Sequence, residues 1–255
     1  MGVTETPVIV VTGGTRGIGH GLARELVARG ARVVICGRTG VDEAAGELGA
    51  TGVVADMTDR AQVEALWDKA ASLGPVAHWI NNAGVSTTRR PLGELPADQI
   101  HTVVGANLIG VLHGSAVASH GMLAQGGGTV WNMEGLGSDG RAVPGLLPYG
   151  ATKRAVTYVT DALAKELKGT PVKAAHLSPG MVVTDLLLQD YDPAELEKAK
   201  KIFNILADRV ETVTPWLAER ILAGTGNGGR VAWLTRRKAA ARFATAGFRK
   251  RDLFG

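Results

Sequence analysis

A chain of 255 residues, 20% charged and 45% hydrophobic, has the size and composition of one large α/β domain with a substantial core. Its one cysteine, Cys36, excludes an intrachain disulfide and suits a reducing compartment. The net charge of +4 is uneven: residues 236–255 carry seven basic side chains and one acidic, so the body is slightly acidic and a nucleic-acid role for it is disfavoured.

The chain enters an apolar strand at 8–11 with no secretory pattern before it. No apolar run is read as approaching membrane-span length. A Gly-rich turn leads into a helix through Leu22, Leu26 and Val27. Strands follow at 32–36 and 53–55, the latter ending at Asp56. A helix over 61–73 places Val63, Leu66 and Trp67 on one face. A strand at 76–80 ends in Asn81-Asn82-Ala83-Gly84, and a long helical pattern covers 100–123. A strand at 129–133, an amphipathic helix at 149–167 and strands at 172–177 and 231–234 complete the series.

Repeated βα units predict an α/β fold. It is a Rossmann-type, doubly wound parallel sheet in a single domain, with helices on both faces and ligands at the carboxyl ends of the strands. The domain is expected over 1–235, with a helical insertion at 185–214 read as a lid on the site or as a core-facing helix. Residues 236–255 form a basic tail. It is read as solvated, as packed on a sister subunit, or as making peripheral contact with an anionic membrane.

Thr12-Gly13-Gly14-Thr15-Arg16-Gly17-Ile18-Gly19 joins the first strand to the first helix. Gly13 suits a tight turn. Gly17 and Gly19 let the backbone at Thr15, Arg16 and Ile18 approach a pyrophosphate at a helix N-terminus. An ordinary turn is the other reading. The second strand ends Cys36-Gly37-Arg38, without the acid that binds ribose hydroxyls in NAD sites. Arg16 and Arg38 suit a 2′-phosphate, which points to NADP(H). Asp56 is placed to contact adenine or to cap its strand. No metal site is expected.

The ordered motifs Thr12-Gly13-x-x-x-Gly17-x-Gly19, Asn81-Asn82-Ala83-Gly84, Asn107, Tyr149-x-x-x-Lys153 and Pro179-Gly180 resemble the short-chain dehydrogenase/reductase family over almost the whole chain. The stretches 132–138, 149–153, 178–188, 203–205 and 211–213 are similar to its chlorophyll(ide) b reductase branch, which reduces a formyl group on a chlorin ring with NADPH. The chain shows no plastid transit segment, and its Ala/Gly-rich composition reads as bacterial and cytoplasmic. The resemblance implies an NADPH-dependent reductase of an apolar small-molecule carbonyl, assembled as a homodimer or homotetramer. An oxidoreductase for an unrelated small metabolite and a non-catalytic NADP(H)-binding regulator are the alternatives.

Carbonyl reduction needs a proton donor beside the hydride donor. Tyr149 and Lys153 are one helical turn apart on one face, where a lysine ammonium favours the phenolate. The resemblance gives Lys153 the nicotinamide ribose as a second partner and Asn107 a water that reconnects Lys153 to solvent. It also places Asn82, Ala83 and Gly84 along the adenosine, and Pro179, Gly180, Val182 and Thr184 facing the nicotinamide. Positions where the family commonly carries serines are Glu134 and Gly135 here, so Ser138, the one serine of the loop, is assigned that part. A turn residue is its other reading, and Glu134 is an alternative contributor to binding or proton relay.

Overall fold

The computed structural model describes residues 6–248 and 251–254. Strand β1 (Val8–Thr12) is apolar or β-branched throughout and wholly buried, as a strand covered on both faces requires. The Gly-rich turn follows, then α1 (Gly17–Ala28), β2 (Arg32–Gly37), α2 (Val41–Leu48), β3 (Thr51–Val54), α3 (Arg60–Ala71) and β4 (Val76–Asn81). The Asp59 carboxylate caps α3 by accepting from the Ala61 and Gln62 N–H groups.

The predicted helix at 100–123 is one apolar stretch from Ala97 to Gln125. It is divided into α4 (Ala97–Val104), a π-helical turn (Gly105–Ile109) and α5 (Gly110–Gln125). By length and composition this stretch is apolar enough to cross a membrane, which corrects the sequence expectation. The fold accounts for that character, because α5 buries Val111, Val117, Ala118 and Met122 against the sheet.

Next come β5 (Gly128–Met133), α6 (Leu147–Glu166), β6 (Val172–Ser178), β7 (Val182–Val183), α7 (Asp185–Leu188), α8 (Pro193–Leu206), β8 (Asp208–Arg209), α9 (Val210–Ala223), β9 (Arg230–Ala232) and α10 (Arg236–Thr245). The seven-stranded sheet has the order β3-β2-β1-β4-β5-β6-β9, and every pair is parallel. Strand order reverses beside β1, opening a crevice at the carboxyl ends of β1 and β4. Each face has its own core. Ile9, Val11, Leu22, Leu26, Leu217 and Ile221 pack on one side. Val10, Leu66, Trp79, Val117 and Met122 pack on the other.

Two boundaries change. The expected insertion ends early, because Val213 and Thr214 belong to α9 and are fully buried; a side chain at Gly21 of α1 would meet Val210 and Thr214. In its described part the tail is ordered rather than solvated chain. It forms α10 and folds back, with Arg242 and Arg251 paired to Asp208 and the Leu253 N–H donating to Asn204 Oδ1. Arg249, Lys250 and Gly255 of the expected tail lie outside the described residues.

Candidate active site

The turn after β1 is built around glycine. Gly13 has φ +64°, and a Cβ there would stand 2.8 Å from Ala83 Cα. A Cβ at Gly19 would collide with the Gly13 carbonyl. Thr12 Oγ1 accepts from the Asn82 and Ala83 N–H groups at 3.0 and 3.1 Å. The Asn82 amide donates back to Thr12 O and Gly13 O at 2.9 and 3.1 Å. Asn82 and Ala83 therefore fasten the turn to the end of β4.

Helix α1 starts at Arg16 without a side-chain cap, so its first N–H groups stay free for an anion. Thr15 lies against Gly37, where a Cβ would come 2.9 Å from Thr15 Cγ2, so Arg16 and Arg38 share one end of the sheet. Both are exposed, and neither makes an ion pair among the described residues. Ile18 is partly buried on α1 against the core. Asp56 Oδ1 accepts from the N–H and hydroxyl of Thr58, so that oxygen closes a turn at the strand end. Thr184 lies across the crevice from the turn, 3.5 Å from where a Cβ on Gly17 would stand. Pro179 is buried, Gly180 packs against Leu234, and Val182 pairs with Asp208 between β7 and β8.

At the other end of the crevice, α6 presents Tyr149 and Lys153. Pro148 stands in its first turn, where the missing N–H is harmless. Lys153 is 4% exposed, and its Nζ donates to Met133 O at 3.2 Å. Burial pushes its ammonium down to about 8, against the pull of Glu134. Burial pushes the Tyr149 hydroxyl up to about 12. In the bare chain desolvation thus outweighs the lowering that the sequence pairing suggests. Gly84 lies between the two ends of the site, since a Cβ there would be 3.1 Å from Asn107 Oδ1 and 3.6 Å from Lys153 Nζ.

Asn107 is fully buried in the π-helical turn. Its side chain accepts from Val85 N–H at 2.8 Å and donates to Val85 O at 2.9 Å and to Thr152 Oγ1 at 3.2 Å. The amide therefore clamps the loop after β4 to α6, beside Lys153. Ser138 lies elsewhere than the sequence argument put it. Its Oγ accepts from Gly135 N–H at 3.0 Å and donates to Lys153 O at 3.2 Å, so it fastens the loop to the backbone of α6. The residue facing the Tyr149 hydroxyl is Gly135, where a Cβ would stand 2.5 Å from Oη.

Sequence reasoning missed the polar lock beneath the site. The Asn81 amide donates to Asn132 Oδ1 at 2.8 Å and to Ser115 Oγ at 3.1 Å, and Asn132 donates to Thr160 Oγ1 at 3.0 Å. Polar residues ending two adjacent apolar strands were the available signal. It also missed Arg89, whose guanidinium sits 3.8 Å over the Tyr191 ring and ties the loop after β4 to the segment before α8.

These residues fit a dinucleotide, with uncapped N–H groups at a glycine turn, guanidiniums without ion pairs among the described residues at one end, and a half-buried Tyr149 beside a buried Lys153 at the other. Fold and site define a Rossmann-type domain with the phosphate turn and Tyr–Lys helix of a dinucleotide-dependent dehydrogenase. Residues 7–194 match the family model described as short chain dehydrogenase, and the chain belongs to that family. A chloroplastic chlorophyll(ide) b reductase of Arabidopsis thaliana is 38% identical over 234 residues, covering 86% of this chain. The chain spans 66% of that relative's length, just under two thirds. A 3-ketoacyl-(acyl-carrier-protein) reductase from Brucella melitensis, solved with NADH, superposes with TM-score 0.80 at 26% identity, covering 92% of this chain and all of that one. A gluconate 5-dehydrogenase from Burkholderia cenocepacia J2315, solved with NADP and tartrate, has TM-score 0.76 at 28% identity, covering 90% of this chain and 94% of its own.

Proposed function

We propose that this chain is an NADPH-dependent carbonyl reductase whose substrate is a formyl group on a large, apolar chlorophyll b-like ring. The observation that carries the reading is the 38% identity to a chlorophyll(ide) b reductase across 86% of the chain, a span that includes the Tyr149–Lys153 pair. The bound cofactor supplies the hydride.

The remaining chemistry belongs to the chain. Gly13, Thr15, Arg16, Gly17, Ile18 and Gly19 present backbone N–H groups and one guanidinium to the phosphates. Arg38 takes the 2′-phosphate. Asp56, Asn82, Ala83 and Gly84 border the adenosine side, and Pro179, Gly180, Val182 and Thr184 border the nicotinamide side. The Tyr149 hydroxyl donates its proton to the carbonyl oxygen. Because burial holds that proton tightly, transfer depends on the ammonium of Lys153 to offset the phenolate left behind. Asn107 holds the loop and helix that flank Lys153, in keeping with a water path for proton return. Ser138 supports this arrangement as a loop staple. The absence of a side chain at Gly135 lets the loop backbone pack against the Tyr149 hydroxyl where the family commonly carries serine.

A cytoplasmic setting and assembly into a homodimer or homotetramer belong to the same proposal. So does at most peripheral membrane contact by the basic tail. The test is turnover of chlorophyllide b against simple aldehydes and ketones, with NADPH and the purified chain. Conversion of the 7-formyl group to hydroxymethyl, seen as a shift of the chlorin absorption bands, is the expected result. Turnover of small carbonyls alone would favour a reductase for an unrelated metabolite. Cofactor binding without turnover of any carbonyl would favour a regulator.

A further inference from the structure

Behind the Tyr149–Lys153 pair lies a line of ionisable side chains that proton transfer from Tyr149 does not by itself require. Glu134 follows β5 and is 4% exposed; His176 of β6 is 3% exposed. Glu134 Oε1 lies 3.2 Å from His176 Nδ1 and 2.7 Å from Arg230 Nη2 of β9. His176 Nε2 is 2.9 Å from Oδ1 of Asp161, a residue of α6 that reaches the surface. A carboxylate is costly to bury and is retained where partners repay the desolvation.

Two observations connect this group to the reacting pair. The Lys153 side chain lies across the backbone on both sides of Glu134: its Nζ donates to Met133 O, and a Cβ at Gly135 would come 3.1 Å from its Cγ. The Glu134 charge raises the proton affinity of Lys153 against the effect of burial. Glu134 Oε1 lies close to His176 Nδ1 without an aligned hydrogen bond, and the Arg230 guanidinium at 2.7 Å is its charged partner.

We propose that Glu134 is a positioning residue of this site, a buried counter-charge that holds Lys153 as an ammonium beside Tyr149. Arg230 and the His176–Asp161 pair fix the carboxylate where it does so. The charged and titratable groups facing Glu134 are His176 from β6, Arg230 from β9 and Lys153 from α6, with Asp161 of α6 behind His176. This inference rests on Lys153 being the group that supports Tyr149.

The test reads the lysine directly, in protein free of cofactor and substrate. The 13Cε shift of Lys153 is followed against pH in lysine-labelled protein, with its peak assigned by loss in Lys153→Met. Glu134→Gln is expected to lower the midpoint by about one pH unit, as removal of a nearby opposite charge does. Glu134→Asp keeps the charge and should keep the midpoint. A midpoint unmoved in Glu134→Gln would overturn the proposal and leave Glu134 as a pin between β6 and β9. If Glu134→Gln does not fold, Arg230→Gln decides. Loss of that cation should raise the Lys153 midpoint, and an unchanged or lowered one would overturn the proposal equally. Where turnover is measured, Glu134→Gln should move the alkaline limb of kcat to lower pH with KM for the carbonyl little changed. The titration uses no substrate, so its outcome stands apart from success or failure with chlorophyllide b.

Discussion

Arg38 closes β2 at the place where an acid would bind ribose hydroxyls, and it stands exposed with no ion-pair partner among the described residues. A guanidinium there has work only if a phosphate arrives. A hydrogen bond to a charged group contributes about 1.5–3 kcal/mol. Arg38→Asp should therefore weaken NADPH by at least ~10-fold and leave NADH within about threefold. Fluorescence titration of both cofactors measures this, and equal weakening of the two would sink the 2′-phosphate assignment. At this scale the sequence was legible where chemistry is carried by spacing. Tyr149 and Lys153 share a helix face because helices repeat every 3.6 residues, and the glycines of the turn stand where backbones meet. It was illegible at Ser138 and Gly135. Which of them faces Tyr149 depends on how the loop after β5 closes on α6, a tertiary matter that local pattern does not encode. Asn82, expected along the adenosine, has a structural task that the motif did not announce, since its amide holds the glycine turn through the Thr12 and Gly13 carbonyls.

Strands and long helices were readable because strands buried on both faces appear as short apolar runs. Helix α2 escaped notice: it is eight residues long and bounded by Gly40 and Gly49. The elements beyond β6 were read least well, because their order comes from one buried acid. Asp208 is 3% exposed and accepts from Trp233 Nε1 at 2.6 Å; Arg242 and Arg251 pair with it at 2.8 and 2.6 Å. Burial alone would raise its carboxyl, but hydrogen bonds from Arg242 and Trp233 and the charges of Arg242 and Arg251 bring it below the ordinary range. The stability it contributes is therefore present at neutral pH and lost as pH falls through that lowered value. The tail is joined to α8 through this contact and through the Phe203–Phe254 and Lys200–Phe254 contacts. Replacing one partner of a buried ion pair leaves the others uncompensated. Asp208→Asn should thus lower stability by about 2–3 kcal/mol and Tm by about 5 °C or more. Limited proteolysis should then cut near α10 before the body of the domain. A melting curve and digestion pattern like those of the native chain would show that the tail is held by its apolar contacts instead.

At the scale of the whole molecule, α5 and α6 leave several large apolar side chains exposed. Helix α5 turns Val111, Val117 and Met122 inward, yet Leu112 and Leu123 on its other side are each 44% exposed. On α6, Leu147 is 55% exposed and Tyr158 76%. A groove of about 290 Å³ beside them is lined by Leu92, Ile100, Val104, Leu108, Leu147 and Pro148. A helix of small and apolar residues with few charges belongs largely in an interior, and a lone domain covers only one side of α5. Exposed large apolar side chains on a helix face are a signal for association, and twofold symmetry lets the same face serve both partners. A second copy would also bury the first turn of α6, which carries Tyr149, so assembly and the reacting centre share a helix. The native chain should therefore run as a dimer or tetramer in light scattering at micromolar concentration. Leu112→Glu combined with Tyr158→Glu should convert it to monomer, because each new charge would have to be buried without a partner. A native chain that is already monomeric under those conditions would exclude this face as the interface.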